Sequence, residues 1–355
     1  MQKILTNAHR KFIFDASLAA GIAPSDAEAV ADGLLWADLH GRLEYGLIRL
    51  PNLIERVCRG LTHSPARMAW TTISPAAHQL DAGQGLGFTA GKLATERAVE
   101  LARTQGIGVV TVKHSSHYGA AAYYCEQAAQ AGCIGFTCTN AFPKVAPFNG
   151  TSPVLGTNPL AFGCPTLDGR PVLVDLATSA VAGSAVRKAE GCRANLPPEA
   201  ALDARGKPTS DPLVAASGAL LPAAGAKGYG LALMVEILSG VLTGAGVAKD
   251  VGSLFQTWDR PVDVGHFFFA IDIEKFMPMD KFLARLNILS AWVKSSPAIN
   301  AADPVRIPGE IRADYATRYA SEGVPYTEAM EGAARMLAKQ FSLQVPWETR
   351  ASGSD

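Results

Sequence analysis

VVTVKHSSHYGAAA, residues 109–122, passes from a β pattern to an α pattern within a few residues. Val109, Val110 and Val112 are β-branched and apolar, which predicts a short buried strand. Gly119 opens an alanine-rich run that predicts a helix through Ala131, stopped at Gly132. Ser115, Ser116 and His117 therefore stand where a strand hands over to a helix. Rigid elements aim side chains at such a junction, and the helix N-terminus adds partial positive charge. His117 is the leading candidate for a proton donor and acceptor, because imidazole titrates near neutral pH. On this stretch alone, a histidine that caps a helix or fills a polar niche is the alternative.

Around that junction, helices and strands alternate. Gly83-Gln84-Gly85-Leu86-Gly87 precedes a helical run, Phe88 to Thr104, but its spacing is GxGxG and not the GxGxxG of a Rossmann turn. The stretch before it, with Pro75, His78 and Gln79, makes a poor buried strand. A tight turn that lets a helix pack closely is the better expectation. Strands are predicted over 107–112, 134–139, 160–163 and 172–176. The Gly- and Pro-rich segment from Pro143 to Pro159 lacks regular intervening helices, which argues against a doubly wound parallel sheet. A mixed or mainly antiparallel sheet is expected.

On the N-terminal side, Pro24-Ser25-Asp26-Ala27-Glu28 has capping-box spacing and predicts a helix start. Ala27, Val30, Ala31, Leu34 and Leu35 then make an apolar face, which fades at Gly41. A second amphipathic run, Leu47 to Val57, carries Arg49, Glu55 and Arg56. On the C-terminal side, Arg187 to Pro222 reads as polar loop. A helix from Lys227-Gly228-Tyr229-Gly230 follows, then a strand over 266–272, a helix around Phe282–Val293 and a last helix over 327–341. The tail Ala351–Asp355 is expected to be mobile. There is no internal repeat.

The chain has 355 residues, 48% hydrophobic and 18% charged, which suits a globular chain with a well-buried core. Lys+Arg and Asp+Glu number 32 each, so charge gives no reason to expect nucleic acid or an anionic membrane as partner. Cys58, Cys125, Cys133, Cys138, Cys164 and Cys192 form no CxxC pair. Reduced, buried thiols in a cytosolic protein are expected, ahead of disulfides or zinc. Asp15 interrupts the N-terminus before an apolar run long enough for a signal peptide, and Glu236 interrupts the apolar pattern Tyr229–Ala245. A soluble, cytoplasmic chain with no metal is expected.

Several motifs, in order, resemble one family. They are Ser116-His117-Tyr118-Gly119, Gly156-Thr157-Asn158-Pro159-Leu160-Ala161-Phe162, Asp175-Leu176-Ala177-Thr178-Ser179, Pro208-Thr209-Ser210-Asp211-Pro212, Lys227-Gly228-Tyr229-Gly230-Leu231 and His266 through Asp272. Together they resemble the malate/L-lactate dehydrogenase family, which also holds ureidoglycolate and sulfolactate dehydrogenases, diketogulonate reductase and cyclic-ketimine reductases. The resemblance implies a mixed α/β fold. A non-Rossmann NAD(P)-binding domain on a largely antiparallel sheet would span residues 67–304, with a helical domain from residues 1–66 and 305–355. It implies a homodimer and a small-molecule substrate.

The chemistry implied is hydride transfer to a C=O or C=N carbon beside a carboxylate, with NAD or NADP. Such a reaction needs an acid for the oxygen or nitrogen and a cation for the carboxylate. By resemblance His117 is the acid/base and Arg49 the carboxylate ligand, for which a planar guanidinium is suited. Asn140, Asp175, Leu176 and Ala177 fall where the family contacts its cofactor, and Lys227 would meet a phosphate or ribose at a helix start. Asn158 reads equally as a turn residue or a site residue, and His266 and Asp272 as strand edge or cofactor contact.

Two departures stand out. Glu44-Tyr45-Gly46 replaces the usual Ser-His-Gly ahead of the arginine, and Ser184-Ala185 replaces a usual Gly-Lys. Glu44 and Tyr45 would face the substrate. A carboxylate there repels an acidic group and pairs with an ammonium or protonated imine, which predicts a nitrogen-bearing substrate. The competing expectation is a family member that binds a small molecule without turning it over.

Overall fold

The computed structural model describes residues 2–192 and 194–348, so the tail Ala351–Asp355 lies outside the described residues. In chain order the first elements are β1 (Lys3–Ile4), α1 (Thr6–Ala19), α2 (Pro24–Leu39), α3 (Leu50–Cys58), β2 (Ala69–Ser74), β3 (Ala77–Asp81), α4 (Gly87–Gln105), β4 (Ile107–Ser115) and α5 (Ala121–Gln130). There follow β5 (Cys133–Thr139), β6 (Leu160–Cys164), β7 (Val172–Leu176), α6 (Gly183–Cys192), β8 (Ala201–Leu202), β9 (Pro208–Thr209), α7 (Pro212–Ala216) and β10 (Ala219–Leu220). The chain closes with α8 (Ala226–Glu236), β11 (Val264–Asp272), α9 (Met279–Lys294), α10 (Glu310–Glu322), β12 (Val324–Pro325) and α11 (Glu328–Phe341).

The centre is a seven-stranded sheet in the order β2-β3-β4-β11-β5-β6-β7. β3 and β4 run parallel, and the other neighbouring pairs run antiparallel. β11 lies between β4 and β5, with Phe268 facing Val110 on one side and Thr137 on the other. Its alternation sets the layers: His266, Phe268 and Ala270 are buried, while Phe267 and Phe269 are half-buried. Val110, Val112, Phe268 and Ala270 join the alanines of α4 and α5 in one apolar core. Small side chains on those helices let them lie close: a Cβ at Gly135 would stand 2.6 Å from that of Ala128.

A second core is helical. Phe12, Ile13 and Ala16 of α1, Val30, Ala31 and Leu34 of α2, and Leu50, Leu53 and Ile54 pack with Met330, Ala334 and Leu337 of α11. The two ends of the chain meet in it, and β1 pairs antiparallel with β12. A third, small core unites Val186 of α6 with Val145, Leu196, Ala200, Ala201, Ala215 and Leu220.

Several local expectations need correction. Pro24 starts α2 at its first turn and no side chain caps it, so Ser25 and Glu28 do not form a capping box. Ser64 instead donates to Asp26, and the Ala23 N–H donates to Ser64 Oγ. β2 and β3 form a hairpin at one end of the sheet where no strand was expected; β2 is the edge strand, and Thr, His and Gln are tolerated in the pair because one face of the sheet there meets water. The polar segment 187–222 holds the end of α6, α7 and a small sheet β10-β8-β9 built from two-residue strands, too short to show a pattern. Helices α1 and α10 also went unforeseen. Cys58 and Cys192 are exposed, whereas the other four cysteines are buried.

Candidate active site

β4 ends at Ser115, and the following turn carries His117 before α5 begins. The glycine turn ahead of α4 packs directly on it: the Gly87 N–H donates to Ser116 Oγ at 3.0 Å, and Ser116 Oγ donates to the Gly85 carbonyl at 3.1 Å. A Cβ at Gly87 would fall 2.2 Å from the Ser116 carbonyl oxygen, so only glycine permits this approach. The GxGxG stretch thus serves the histidine turn by letting a helix come close.

The Gly119 N–H donates to His117 Nδ1 at 3.1 Å. A nitrogen that accepts carries no proton, so the neutral ring holds its proton on Nε2. Burial first, then the charges of Arg49 and Arg187, push the His117 pKa down to about 3. The resting imidazole is neutral at physiological pH. Beneath it, His266 is fully enclosed, with Nδ1 2.8 Å from Thr139 Oγ1 and Nε2 2.9 Å from Ser115 Oγ. Tyr118 stacks on His266 with ring centroids 4.4 Å apart. Burial and the neighbouring His117 also hold His266 near 3. Its two nitrogens are used inside the sheet, which makes it a strut under the histidine turn.

Arg49 sits at the end of a short 3-10 turn, Leu47–Arg49, at the foot of α3. Asp38 of α2 fixes that turn: its Oδ2 accepts the Leu47 N–H at 2.8 Å and lies 2.9 Å from His9 Nε2, and His9 Nδ1 is 2.6 Å from Tyr326 Oη. Gly46 is required beside it, because a Cβ there would stand 1.9 Å from Asp38 Oδ1. Arg49 is 6% exposed, and its Nε has no hydrogen-bond partner among the described residues. Its guanidinium carbon lies 4.9 Å from the Phe255 ring centroid and 5.9 Å from that of Tyr45. Burial, then the charge of Arg187, pulls its pKa down to about 10, so it stays cationic. A buried cation without a carboxylate is costly unless an anion completes it.

Glu44 and Tyr45 lie in the preceding 3-10 turn. Glu44 Oε1 is 3.3 Å from Arg42 Nε, so its charge is engaged within the protein. The Tyr45 ring lies beneath Arg42, 5.4 Å from its guanidinium carbon. Both stand beside Arg49, but Glu44 is not a free carboxylate waiting for an ammonium.

Asp175 and Leu176 end β7 and line a cavity of about 500 Å³ with His40, Arg42, Arg306, Gly309, Arg312 and Tyr315, among others. Asp175 Oδ2 is 3.3 Å from Arg312 Nη1. Arg42 Nε and Arg312 Nη1 are buried without hydrogen-bond partners. The arginines from Arg306 onward carry no motif of their own, and only the cavity reveals them. Ala177 follows β7 directly. Lys227 is exposed in the first turn of α8. Asn140 is committed inside the fold: its amide donates to the Gly246 carbonyl at 2.8 Å, and its oxygen accepts from the Gly265 N–H at 3.0 Å. Asn158 donates to Glu236 at 2.7 Å and accepts from the Ala141 N–H at 3.1 Å, so it braces a turn.

The chain matches, over residues 4–332, the family model described as malate/L-lactate dehydrogenase. The chain belongs to that family. It is similar to a malate dehydrogenase of Pyrococcus abyssi, 38% identical over 284 residues covering 78% of this chain and 77% of the relative. It is similar to the ureidoglycolate dehydrogenase (NAD(+)) of Escherichia coli K12, 31% identical over 331 residues and 93% of each chain. The solved malate dehydrogenase from Pyrococcus horikoshii OT3 superposes with a TM-score of 0.89, 31% identity and 97% coverage of each chain. Within the malate/L-lactate dehydrogenase family this chain is an oxidoreductase. Phe255 and Tyr45 lie against Arg49, and Phe88 lies 6.2 Å from His117 between ring centroids.

Proposed function

We propose that this chain moves a hydride to or from the carbon beside a carboxylate in a small 2-oxo or 2-hydroxy acid, using NAD or NADP. One observation carries this reading: a neutral imidazole with its proton on Nε2 lies within the field of a buried guanidinium, Arg49, whose Nε has no hydrogen-bond partner among the described residues. Arg49 holds the substrate carboxylate in two-point fashion. In oxidation His117 takes the hydroxyl proton on its one unprotonated nitrogen, Nδ1, as that atom turns away from the Gly119 N–H, and in reduction the resulting imidazolium returns it. Anion binding at Arg49 cancels one of the two charges that depress His117, so its affinity for a proton rises as the substrate seats.

Asp175, Leu176 and Ala177, with Arg42, Arg306 and Arg312, fit a phosphate- and ribose-bearing cofactor, since three guanidinium groups line one cavity beside a carboxylate. Lys227, exposed in the first turn of α8, meets its phosphate or ribose, and Asn140 serves as scaffold. When bound, a nicotinamide supplies or takes up the hydride. Incubation with NADH or NADPH and a panel of 2-oxo acids and cyclic imines, followed at the reduced-nicotinamide absorbance, tests the proposal; no consumption with any of them refutes it. That result would favour the second reading, a relative that only binds.

A cyclic ketimine is the alternative substrate, and its support was Glu44. Because Arg42 already engages that carboxylate, the oxo acid is favoured. The pH dependence follows from His117. A base with a pKa near 3 is fully available from pH 5 to 8. The kcat/KM for hydroxy-acid oxidation is expected to show no His117-dependent fall over that range. An unshifted imidazole would cost about tenfold per pH unit below 6.5.

The helical core of both termini and the sheet region form two domains, residues 1–66 with 305–355 and residues 67–304. The protein works as a cytoplasmic homodimer. Among the described residues no helix is long and apolar enough to cross a membrane. Helix α9 buries none of its residues, and Ile288, Leu289 and Trp292 are 57%, 58% and 73% exposed. Leu231, Met234, Ile237 and Val241 form a similar face on α8 and its extension. Such faces need a partner, and a second copy supplies one. Light scattering is expected to give twice the 37.3 kDa of one chain, and Trp292→Asp to shift the mass toward one.

A further inference from the structure

Arg56 of α3 is 1% exposed, yet among the described residues no carboxylate pairs with it. Two carbonyls of one loop meet its charge instead. Nη1 donates to the Thr257 carbonyl at 2.7 Å and Nη2 to the Arg260 carbonyl at 3.1 Å, while Nε has no hydrogen-bond partner among the described residues. Burying a guanidinium this way costs more than burying an apolar side chain of similar size, so stability alone does not account for it.

The loop that Arg56 grips is cross-bonded within itself. The Ser253 N–H donates to Thr257 Oγ1 at 2.9 Å, the Phe255 N–H to Ser253 Oγ at 3.2 Å and the Trp258 indole N–H to the Phe255 carbonyl at 3.0 Å. The Gly252 N–H closes its base on the Val262 carbonyl at 2.8 Å. These bonds set the shape of the loop but not its place on α3. Arg56 sets the place, together with Leu254, which is buried in the helical core. Arg49 stands seven residues before Arg56, two turns along the same helix face. The loop follows that face, and its Phe255 ring centroid lies 4.9 Å from the Arg49 guanidinium carbon. A guanidinium lying over a ring keeps its edge donors free for a carboxylate.

Resting on the reading of Arg49 as the carboxylate ligand, we propose that Arg56 is a positioning residue for it: Arg56 clasps the 253–260 loop against α3 and so holds Phe255 over the Arg49 guanidinium. Arg56 acts through Phe255 and does not itself meet the substrate. When the clasp is loosened the ring withdraws, Arg49 is free to turn among rotamers, and the loss falls on carboxylate affinity.

Arg56→Met removes the charge and keeps an unbranched side chain, whereas Arg56→Lys keeps the charge without the fork. Hydrogen exchange read by mass spectrometry is expected to quicken over residues 252–260 in Arg56→Met, with the melting temperature little changed. Calorimetric titration with oxamate, an unreactive mimic of a 2-oxo acid, is expected to show binding weakened about 5- to 30-fold in Arg56→Met, partly recovered in Arg56→Lys, and ADP-ribose affinity unchanged. In a Phe255→Leu background, Arg56→Met should weaken oxamate binding no further. Arg56→Lys against wild type carries the same comparison if Arg56→Met does not fold. Four outcomes overturn the proposal: unchanged exchange; faster exchange with oxamate affinity unchanged, which would leave Arg56 a structural role only; oxamate and ADP-ribose weakened alike; or full additivity of the Arg56 and Phe255 substitutions. A wild-type chain that binds no oxamate refutes Arg49 as the carboxylate ligand and this proposal with it, whereas failure confined to the variants refutes this proposal alone.

Discussion

Replacing His117 with Gln is expected to lower kcat by about 10²- to 10⁴-fold, the range over which a positioned acid/base acts. Gln retains a carbonyl oxygen that can accept the Gly119 N–H, as Nδ1 does at 3.1 Å. The turn between β4 and α5 therefore keeps its local bond, and the glycine approach at Gly87 is untouched. What Gln lacks is a nitrogen that exchanges a proton. The loss should fall on kcat in both directions, with cofactor affinity, read by fluorescence titration, little changed. A decrease smaller than about tenfold would remove His117 from the proton transfer.

Arg49→Gln is expected to lower kcat/KM by about 30-fold to several thousand-fold, corresponding to about 2–5 kcal/mol for losing one side of a buried charge pair. KM should carry most of it, because the carboxylate is held in ground and transition states alike. A second signature separates this from simple damage. Arg49 is the first-named charge that depresses His117 after burial. Its removal should raise the His117 pKa, so that an acid limb enters the kcat/KM profile at a higher pH than in the wild type. Arg49→Lys keeps the charge but not the fork, so it should keep the wild-type pH profile while still losing affinity. Steady-state kinetics from pH 5 to 8 on the three proteins checks both effects.

The parts of the fold that announced themselves are those with strong periodicity. Val109, Val110 and Val112 mark β4, the phenylalanines after His266 mark β11, and the alanines after Gly119 mark α5. Sheet order was not visible, because nothing local says that β11 enters between β4 and β5 from more than a hundred residues away. Helix α1 buries His9 and Ser17 alongside Phe12 and Ile13, so polar residues broke its apolar stripe. The strands β8 to β10 span two residues each, below the length at which alternation can show.

The site divides similarly. His117 and Arg49 stood out because imidazole and guanidinium chemistry matched a motif. Arg187 lay in a run that read as polar loop, and Arg306 and Arg312 resembled any solvated arginines. Asn140 shows the reverse: its place among the resembling motifs suggested a cofactor contact, yet the Gly246 carbonyl and Gly265 N–H occupy its amide. Glu44 was read as a free charge because its pairing with Arg42 is a matter of side-chain direction, which spacing does not reveal.

The place of β11 in the sheet has a consequence for biosynthesis. β4 and β5 never touch as neighbours; each pairs with β11, whose first residue is Val264. A nascent chain that has left the ribosome as far as β7 therefore displays two long, apolar strand edges with nothing yet made to zip them together. Closure of the helical core waits longer still, until Met330 and Leu337 of α11 emerge. Folding of this protein is thus expected to be late and largely post-translational, with truncated chains ending before Val264 prone to aggregate and in need of chaperone capture.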